Sequence, residues 1–415
     1  MRQRPYPPVW LMGLTDLTIG MYVGMLIVTL PELLAARHVP EATIATLTAG
    51  VAFSPSFWAF LVCPVLDVRF THRLYAVFGA VGCAVCLTAA LFSLHHMVLL
   101  GALLLLGALS GVMGANALGG WFAKVVARED KTHLSAWMTI ANFIGNGLSA
   151  VVAGAVISHL GLPVAAPLLG VLLLLPVAIY PFIPVQKPDA RLARESFGRF
   201  FGEIVQVFKR REVLVALALF ILPAGSFALT NVLGGLGAAF HASMQEVSVA
   251  AGIGIPAGGI LGSLCLPLLA RRLRLRPLFL AVGIVGGLFT LGLLWLPHSP
   301  ATFVVAIVGE NVFESLAYAA TFAISFETIG QGNPLSATIY SVLSAAATFP
   351  VDYMAAIDGH AFQWHGLAGA FGVDALAGIA SCLALALMLK LVRAKSAAVP
   401  GPADVAGGDS ANNAA

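Results

Sequence analysis

Three acids, Asp16, Glu310 and Glu314, stand inside stretches of this chain that are otherwise almost wholly apolar. Glu310 and Glu314 are about one helical turn apart, with Asn311 beside the first, and no Lys or Arg lies in the interior of any apolar stretch to neutralise them. An ionised carboxylate at the centre of a bilayer costs about 2.5–3.5 kcal/mol on insertion scales and more on an isolated helix. Such a group persists where it faces a water-filled space, or where it is protonated and tied to a backbone carbonyl. The first case gives reversible proton binding. Glu310 is then the expected proton carrier, Glu314 tunes it through like-charge repulsion, and Asp16 is a further proton-coupling candidate. The second case gives a structural carboxylic acid and no transport chemistry.

Amides and phenols at similar depth are the candidate contacts of a polar solute: Asn116, Asn142, Asn146, Asn231, Asn311, Tyr318 and Tyr340, with Asp352. Asn142 and Asn146 are four apart and share a helix face, where bonding between helices explains them as well as solute binding does. Asp352 and Asp374 fall toward the outer ends of their stretches; Glu32 and Asp358 read as interfacial. Asp67, Arg69 and Arg73 occupy a short polar gap. A carboxylate there can accept hydrogen bonds from a helix N-terminus and pair with arginine, forming a gate; a solvated turn with chance charges is the alternative. Gly254, Gly258 and Gly262 form a small-residue stripe for close helix packing.

The elements that must position these residues follow from composition. Of 415 residues, 59% are hydrophobic and 10% charged, against about 25% charged in soluble domains. A membrane-spanning helix needs about 20 apolar residues. Twelve stretches qualify, near 9–34, 42–66, 74–92, 98–123, 133–159 and 162–183, then 213–236, 246–269, 277–296, 301–326, 336–357 and 367–391. The first follows Arg2 and Arg4 but has no small-x-small cleavage site, so it is expected to stay as a helix. Of the 22 Lys and Arg, all but Arg37 fall in alternate gaps, which places both termini on the cytoplasmic side. The expected architecture is all-α and polytopic, with a six-helix half (1–183), a cytoplasmic linker (184–212), a second half (213–392) and a polar tail (393–415). Phe197, Phe200, Phe201, Ile204, Val205 and Phe208 give the linker an amphipathic helix on the inner leaflet.

Cys63-Pro64-Val65-Leu66-Asp67-Val68-Arg69 closes the second stretch, and Cys265-Leu266-Pro267-Leu268-Leu269-Ala270-Arg271-Arg272 closes the eighth. This internal echo resembles the two-half layout of the major facilitator superfamily, and Leu66, Asp67, Arg69 and Arg73 resemble a degraded form of its Gly-x-Leu-Ala-Asp-Arg-x-Gly-Arg-Arg run. Glu310-Asn311 followed by Ala320-Thr321-Phe322-Ala323 is similar to AmpG-type permeases of the peptide/acetyl-coenzyme A branch. So are Ala337-Thr338-Ile339-Tyr340-Ser341-Val342-Leu343-Ser344, Asp358-Gly359 and the run from Gly366 to Asp374. Leu30-Pro31-Glu32-Leu33-Leu34 with Val39-Pro40 is similar to siderophore importers. Ile339 stands where that family has Gln, and Asn116 where Asp is common.

The resemblance implies a proton-coupled importer of a siderophore, an anhydromuropeptide or an acetyl-coenzyme A-like solute, working by alternating access in a bacterial inner membrane. Partners would be the solute, protons and lipid, with no nucleic acid; a monomer without cofactor is expected. A polytopic membrane enzyme and a transport-inactive sensor on the same fold are the rivals, but no nucleotide-binding Gly-rich loop or Gly-x-Ser-x-Gly elbow occurs. The ten histidines lack metal-ligand spacing, and Cys83 and Cys86 read as small buried side chains.

Overall fold

The computed structural model of the protein describes residues 6–186, 202, 204–206 and 208–397. The expected amphipathic linker helix falls mostly, and the polar tail almost wholly, outside them. Among the described residues all regular structure is helical. Ten stretches of the described residues are long and apolar enough to cross a membrane. The first six are α1 (Val9–Ala35), α2 (Glu41–Leu61), α3 (His72–Phe92), α4 (Met97–Val125), α5 (Arg128–Leu160) and α6 (Leu162–Phe182).

Three of the expected spans take a different form, the seventh being broken and the last two running on from one another. Between 211 and 240 the chain forms a broken α7: Arg211–Ile221 is helical, the chain then unwinds, and helix resumes over Thr230–Leu233 and Gly234–Phe240. Pro223 is the cause. It disfavours helical geometry at the residue before it, and Leu222 is extended at φ −94°, ψ 151°. Phe227 is forced to φ +44°, a conformation that costs a non-glycine residue on the order of 1–3 kcal/mol. Side chains from the final hairpin satisfy carbonyls that the break frees, as a low-dielectric setting requires: Tyr353 donates to Ile221 O at 3.1 Å and Cys382 to Ala224 O at 3.1 Å.

Three further helices follow, α8 (Met244–Leu269), α9 (Leu275–Leu293) and α10 (Pro300–Ile329). The last stretch, Ser336–Ala397, runs 62 residues, with a non-helical kink at His365 and Gly366. At about 1.5 Å per residue a straight helix of that length would be three times a bilayer core. Gly366 adopts φ +60°, which glycine alone tolerates without cost. The chain doubles back there, bringing Gly369 against Ala361 and His365, and gives α11 (336–364) and α12 (367–397).

The helices pack as two groups. α1 lies on α5 and α3 on α4 and α6; in the second group α8 lies on α10, and α9 on α10 and α12. α5 meets α8 and α10 across the divide, and α4 meets α11 where Gly119 and Gly120 admit Tyr340 and Ala337. The glycine stripe of α8 is a packing face, as expected. A Cβ on Gly262 would run into the Val312 carbonyl oxygen and the Ser315 hydroxyl, and one on Gly258 would meet Val308 O and Asn311 Cβ. Backbone cannot yield as a flexible side chain can. Gly262→Leu is therefore expected to destabilise by about 1–3 kcal/mol or more, read as earlier thermal unfolding in detergent. Gly154→Ala is the control, because a methyl group there meets nothing within 4 Å.

Candidate functional site

A cavity of about 260 Å³ lies between the two groups of helices. Asp16 and Tyr22 reach it from α1, Ser56 from α2, Asn116 from α4, Asn142 from α5, Tyr318 and Phe322 from α10, and Tyr340, Ser341 and Ser344 from α11. Asp16 ends a tightly wound turn, Leu14–Asp16, before α1 relaxes at Leu17. It is 4% exposed and accepts a hydrogen bond from Asn142 Nδ2 at 3.2 Å. Asn116 donates to Cys63 Sγ at 3.3 Å. Of the described lining residues Asp16 is the one carboxylic acid, and none is Lys, Arg or His.

The floor is aromatic. Tyr340 stacks on Phe322 (centroids 6.4 Å, 14°) and on Phe326 (5.9 Å, 17°), while Tyr318 tilts against Phe322 at 4.7 Å. Tyr318 is 40% exposed and is the open face of this wall. Five of the expected site residues therefore meet in one space: Asp16, Asn116, Asn142, Tyr318 and Tyr340.

Below the floor, at the end that carries the basic gaps, polar contacts bind one group of helices to the other. Asp67 is 2% exposed. Its Oδ2 accepts from the Thr338 amide at 2.8 Å and the Thr338 hydroxyl at 2.7 Å; its Oδ1 accepts from the Ala337 amide at 3.1 Å. The carboxylate thus caps the first turn of α11, whose amides have no partner within the helix. Lys131 Nζ donates to Phe326 O at 2.6 Å, Gln331 Nε2 to Val126 O at 3.0 Å and Lys124 Nζ to Pro334 O at 3.3 Å. Arg128 and Glu327 form an exposed pair at 3.2 Å. Cavity residues on α11 run from Tyr340 to Thr348, away from its capped start. The cavity therefore lies on the far side of a closed end.

Several expectations change. The gate acid pairs with His72 Nε2 at 2.9 Å and not with arginine. Arg69, two residues beyond the tightly wound Cys63–Asp67, is exposed and sits over the Phe70 ring at 5.7 Å. Arg73 is half-buried in the first turn of α3. Glu310 does not reach the central cavity. It is fully buried within the second group, where Oε1 accepts from Thr290 Oγ1 at 2.6 Å. Glu314, one turn along, is half-buried beside the Thr230 side chain of the broken α7.

Asn311 turns onto its own helix, donating to Ile307 O at 2.8 Å, because the α8 glycines press against it. Asn146 is half-buried and lies off the cavity, its backbone set against Gly24 of α1. Asn231 and Asp352 are exposed and do not line the cavity. Asp358, expected at the interface, is fully buried, and Asp374 is 8% exposed.

Residues that sequence reasoning passed over are Tyr22, Ser341, Ser344 and Thr348 in the cavity and His72, Lys131, Gln331 and Thr338 at the closed end. Lys131 carries no signal that separates it from the other basic residues of the gaps. Thr338 carries one: it lies in the first turn of a helix whose loop must meet Asp67.

Two groups of membrane-length helices facing each other over a cavity sealed at one end define a multi-pass membrane protein of transporter architecture. The chain belongs to the Major Facilitator Superfamily, whose family model matches residues 12–351. Solved structures agree on the fold. The human organic anion transporter MFSD10 is 15% identical over 91% of this chain and 98% of its own, with a TM-score of 0.68. The proton:xylose symporter XylE is 13% identical over 90% and 94%, at 0.69. A bacterial homologue of the iron transporter ferroportin, in an outward-facing state, is 14% identical over 91% and 97%, at 0.64. No curated protein sequence matches the chain.

Proposed function

We propose that the protein is a proton-coupled secondary transporter that imports a bulky, aromatic, net-uncharged solute across a bacterial inner membrane by alternating access, its basic end and termini cytoplasmic. The reading rests on one observation above the others: a cavity between the helix groups holds Asp16 as its one acid and no basic residue. Cargo that displaces water from around Asp16 makes the ionised carboxylate costly. Cargo and proton then favour each other's binding, and by linkage each raises the other's affinity by the same factor. That is the coupling a symporter needs.

The wall also bears on the cargo. Tyr318, Phe322 and Tyr340 present ring faces and edges, suited to stacking a planar group, and Ser341, Ser344, Asn116 and Asn142 supply neutral polar contacts. Of the solutes implied by the AmpG-like motifs, a neutral aromatic siderophore fits this lining best. An acetyl-coenzyme A-like polyanion finds no countercharge, and burying unpaired charges is prohibitive. Twelve crossings, with α7 broken and α11 and α12 joined by a tight hairpin, put both termini on one side.

The test is counterflow and pH-driven uptake in proteoliposomes, using an aromatic siderophore, an anhydromuropeptide and acetyl-coenzyme A. The siderophore is expected to exchange and to accumulate with an acidic exterior, and acetyl-coenzyme A to do neither. Well-folded protein that exchanges none of the three ends the carrier reading offered here.

A further inference from the structure

The break in α7 borders a second, much smaller space. A cavity of about 10 Å³, lined among others by Gly225, Ser226, Gly287, Thr290 and Asp374, lies where residues 222–229 are unwound. That is about the volume of a single water-sized sphere. One carboxyl lines it, and two further buried acids touch lining residues. Asp374 lines it; Asp358 of α11 is fully buried against Asp374, carboxyl to carboxyl, and its oxygens find no other partner. Glu310 is fully buried and bonded through Oε1 to the lining Thr290, while its Oε2 has no partner.

Three buried acids, with three oxygens among them that find no donor, ask for something positive. The ionisable groups that bear on them are acids, Asp374 and Glu314 on Glu310 and Asp374 on Asp358. The donors on offer are all hard oxygens: carboxylates, the Thr290 and Ser226 hydroxyls, and the carbonyls of an unwound helix. Such a set suits a hard cation, and unwound helices with free carbonyls are where membrane carriers hold Na⁺. Among the described residues no three acids draw together closely enough for a divalent or transition ion. A singly charged ion, satisfied by one or two carboxyls plus hydroxyls and carbonyls, does not need them to.

We propose that the pocket between the α7 break, Thr290 and Asp374 binds one Na⁺ ion, with Asp358 and Glu310 completing its acidic surround. The site is separate from the central cavity and does not depend on what that cavity carries. Binding would tie α7, α9 and α12 together at the point where α7 has lost its own hydrogen bonds.

The experiment is thermal unfolding of the full-length protein in detergent, at fixed pH and ionic strength, with NaCl replacing choline chloride. Because a ligand that binds only the folded state stabilises it by mass action, Na⁺ is expected to raise the melting temperature in a saturable manner. Asp374→Asn and Thr290→Ala should lose that rise, and Asp16→Asn should keep it, which separates this site from the transport reading. Equilibrium binding of radioactive Na⁺ to the unmodified protein, expected at one ion per chain, covers the case in which a variant fails to fold. Identical melting in both salts without saturable Na⁺ retention would overturn the proposal and leave protons alone to neutralise the cluster. Unchanged Na⁺ binding by folded Asp374→Asn would do the same.

Discussion

Asp16→Asn is expected to uncouple transport from the pH gradient while leaving the carrier able to exchange cargo. Each pH unit across the membrane supplies about 1.4 kcal/mol per proton, enough for roughly tenfold accumulation of a neutral solute carried with one proton. Asparagine has the size of the protonated acid and can keep a hydrogen bond to Asn142, which now meets Asp16 Oδ2 at 3.2 Å. It cannot release a proton. The variant's accumulation ratio should therefore fall to about one at any imposed gradient, while counterflow stays within a few-fold of the unmodified protein. A ratio that still follows the gradient would move the coupling proton elsewhere. Glu314, half-buried one turn along α10 from the cavity wall, would then be the residue to replace by Gln.

The membrane class and most of the helical stretches were readable from the sequence because both depend on where apolar and basic residues fall, and nothing else in the chain competes with that signal. The acids show where such reading stops. Depth in a span can be counted along the chain, but the direction a side chain faces depends on which neighbour its helix packs against. Glu310 and Asn311 lie at membrane depth, yet the α8 glycines draw α10 so close that Asn311 is pressed into the interface. Glu310 is left facing Thr290. Asp16, with only polar Thr15 and Thr18 near it in sequence, has the weaker local pattern and holds the cavity. Asp67 was legible as a helix-capping acid, since a carboxylate in so short a loop has few other uses. Its partner was not: His72 is five residues on, across a turn whose winding no periodicity reveals.

That same carboxylate carries the other large effect. Asp67→Ala should open the basic end. The substitution removes the acceptor for the Ala337 and Thr338 amides and the Thr338 hydroxyl, and strips His72 of its partner. Each buried donor left unsatisfied costs about 1–3 kcal/mol, and the Ala337 and Thr338 donors meet Asp67 across the contact between the two helix groups. The cost therefore falls on the closed arrangement and not on the open one, where water can reach the same groups. Even about 3 kcal/mol of such bias shifts a two-state equilibrium on the order of 150-fold. Lys131, Lys124 and Gln331 would still reach across to the Phe326, Pro334 and Val126 carbonyls, but none of them caps a helix start. Spin labels at the exposed positions Glu129 and Arg272, one on each side of the divide, should report a short separation in the unmodified protein and a longer one in the variant. Thr338→Val removes only the hydroxyl bond, so it should shift the same distribution part of the way. If Asp67→Ala leaves the separation unchanged in folded protein, the cap is a local stabiliser of α11 and the closed end is held by its cross-strap lysines instead.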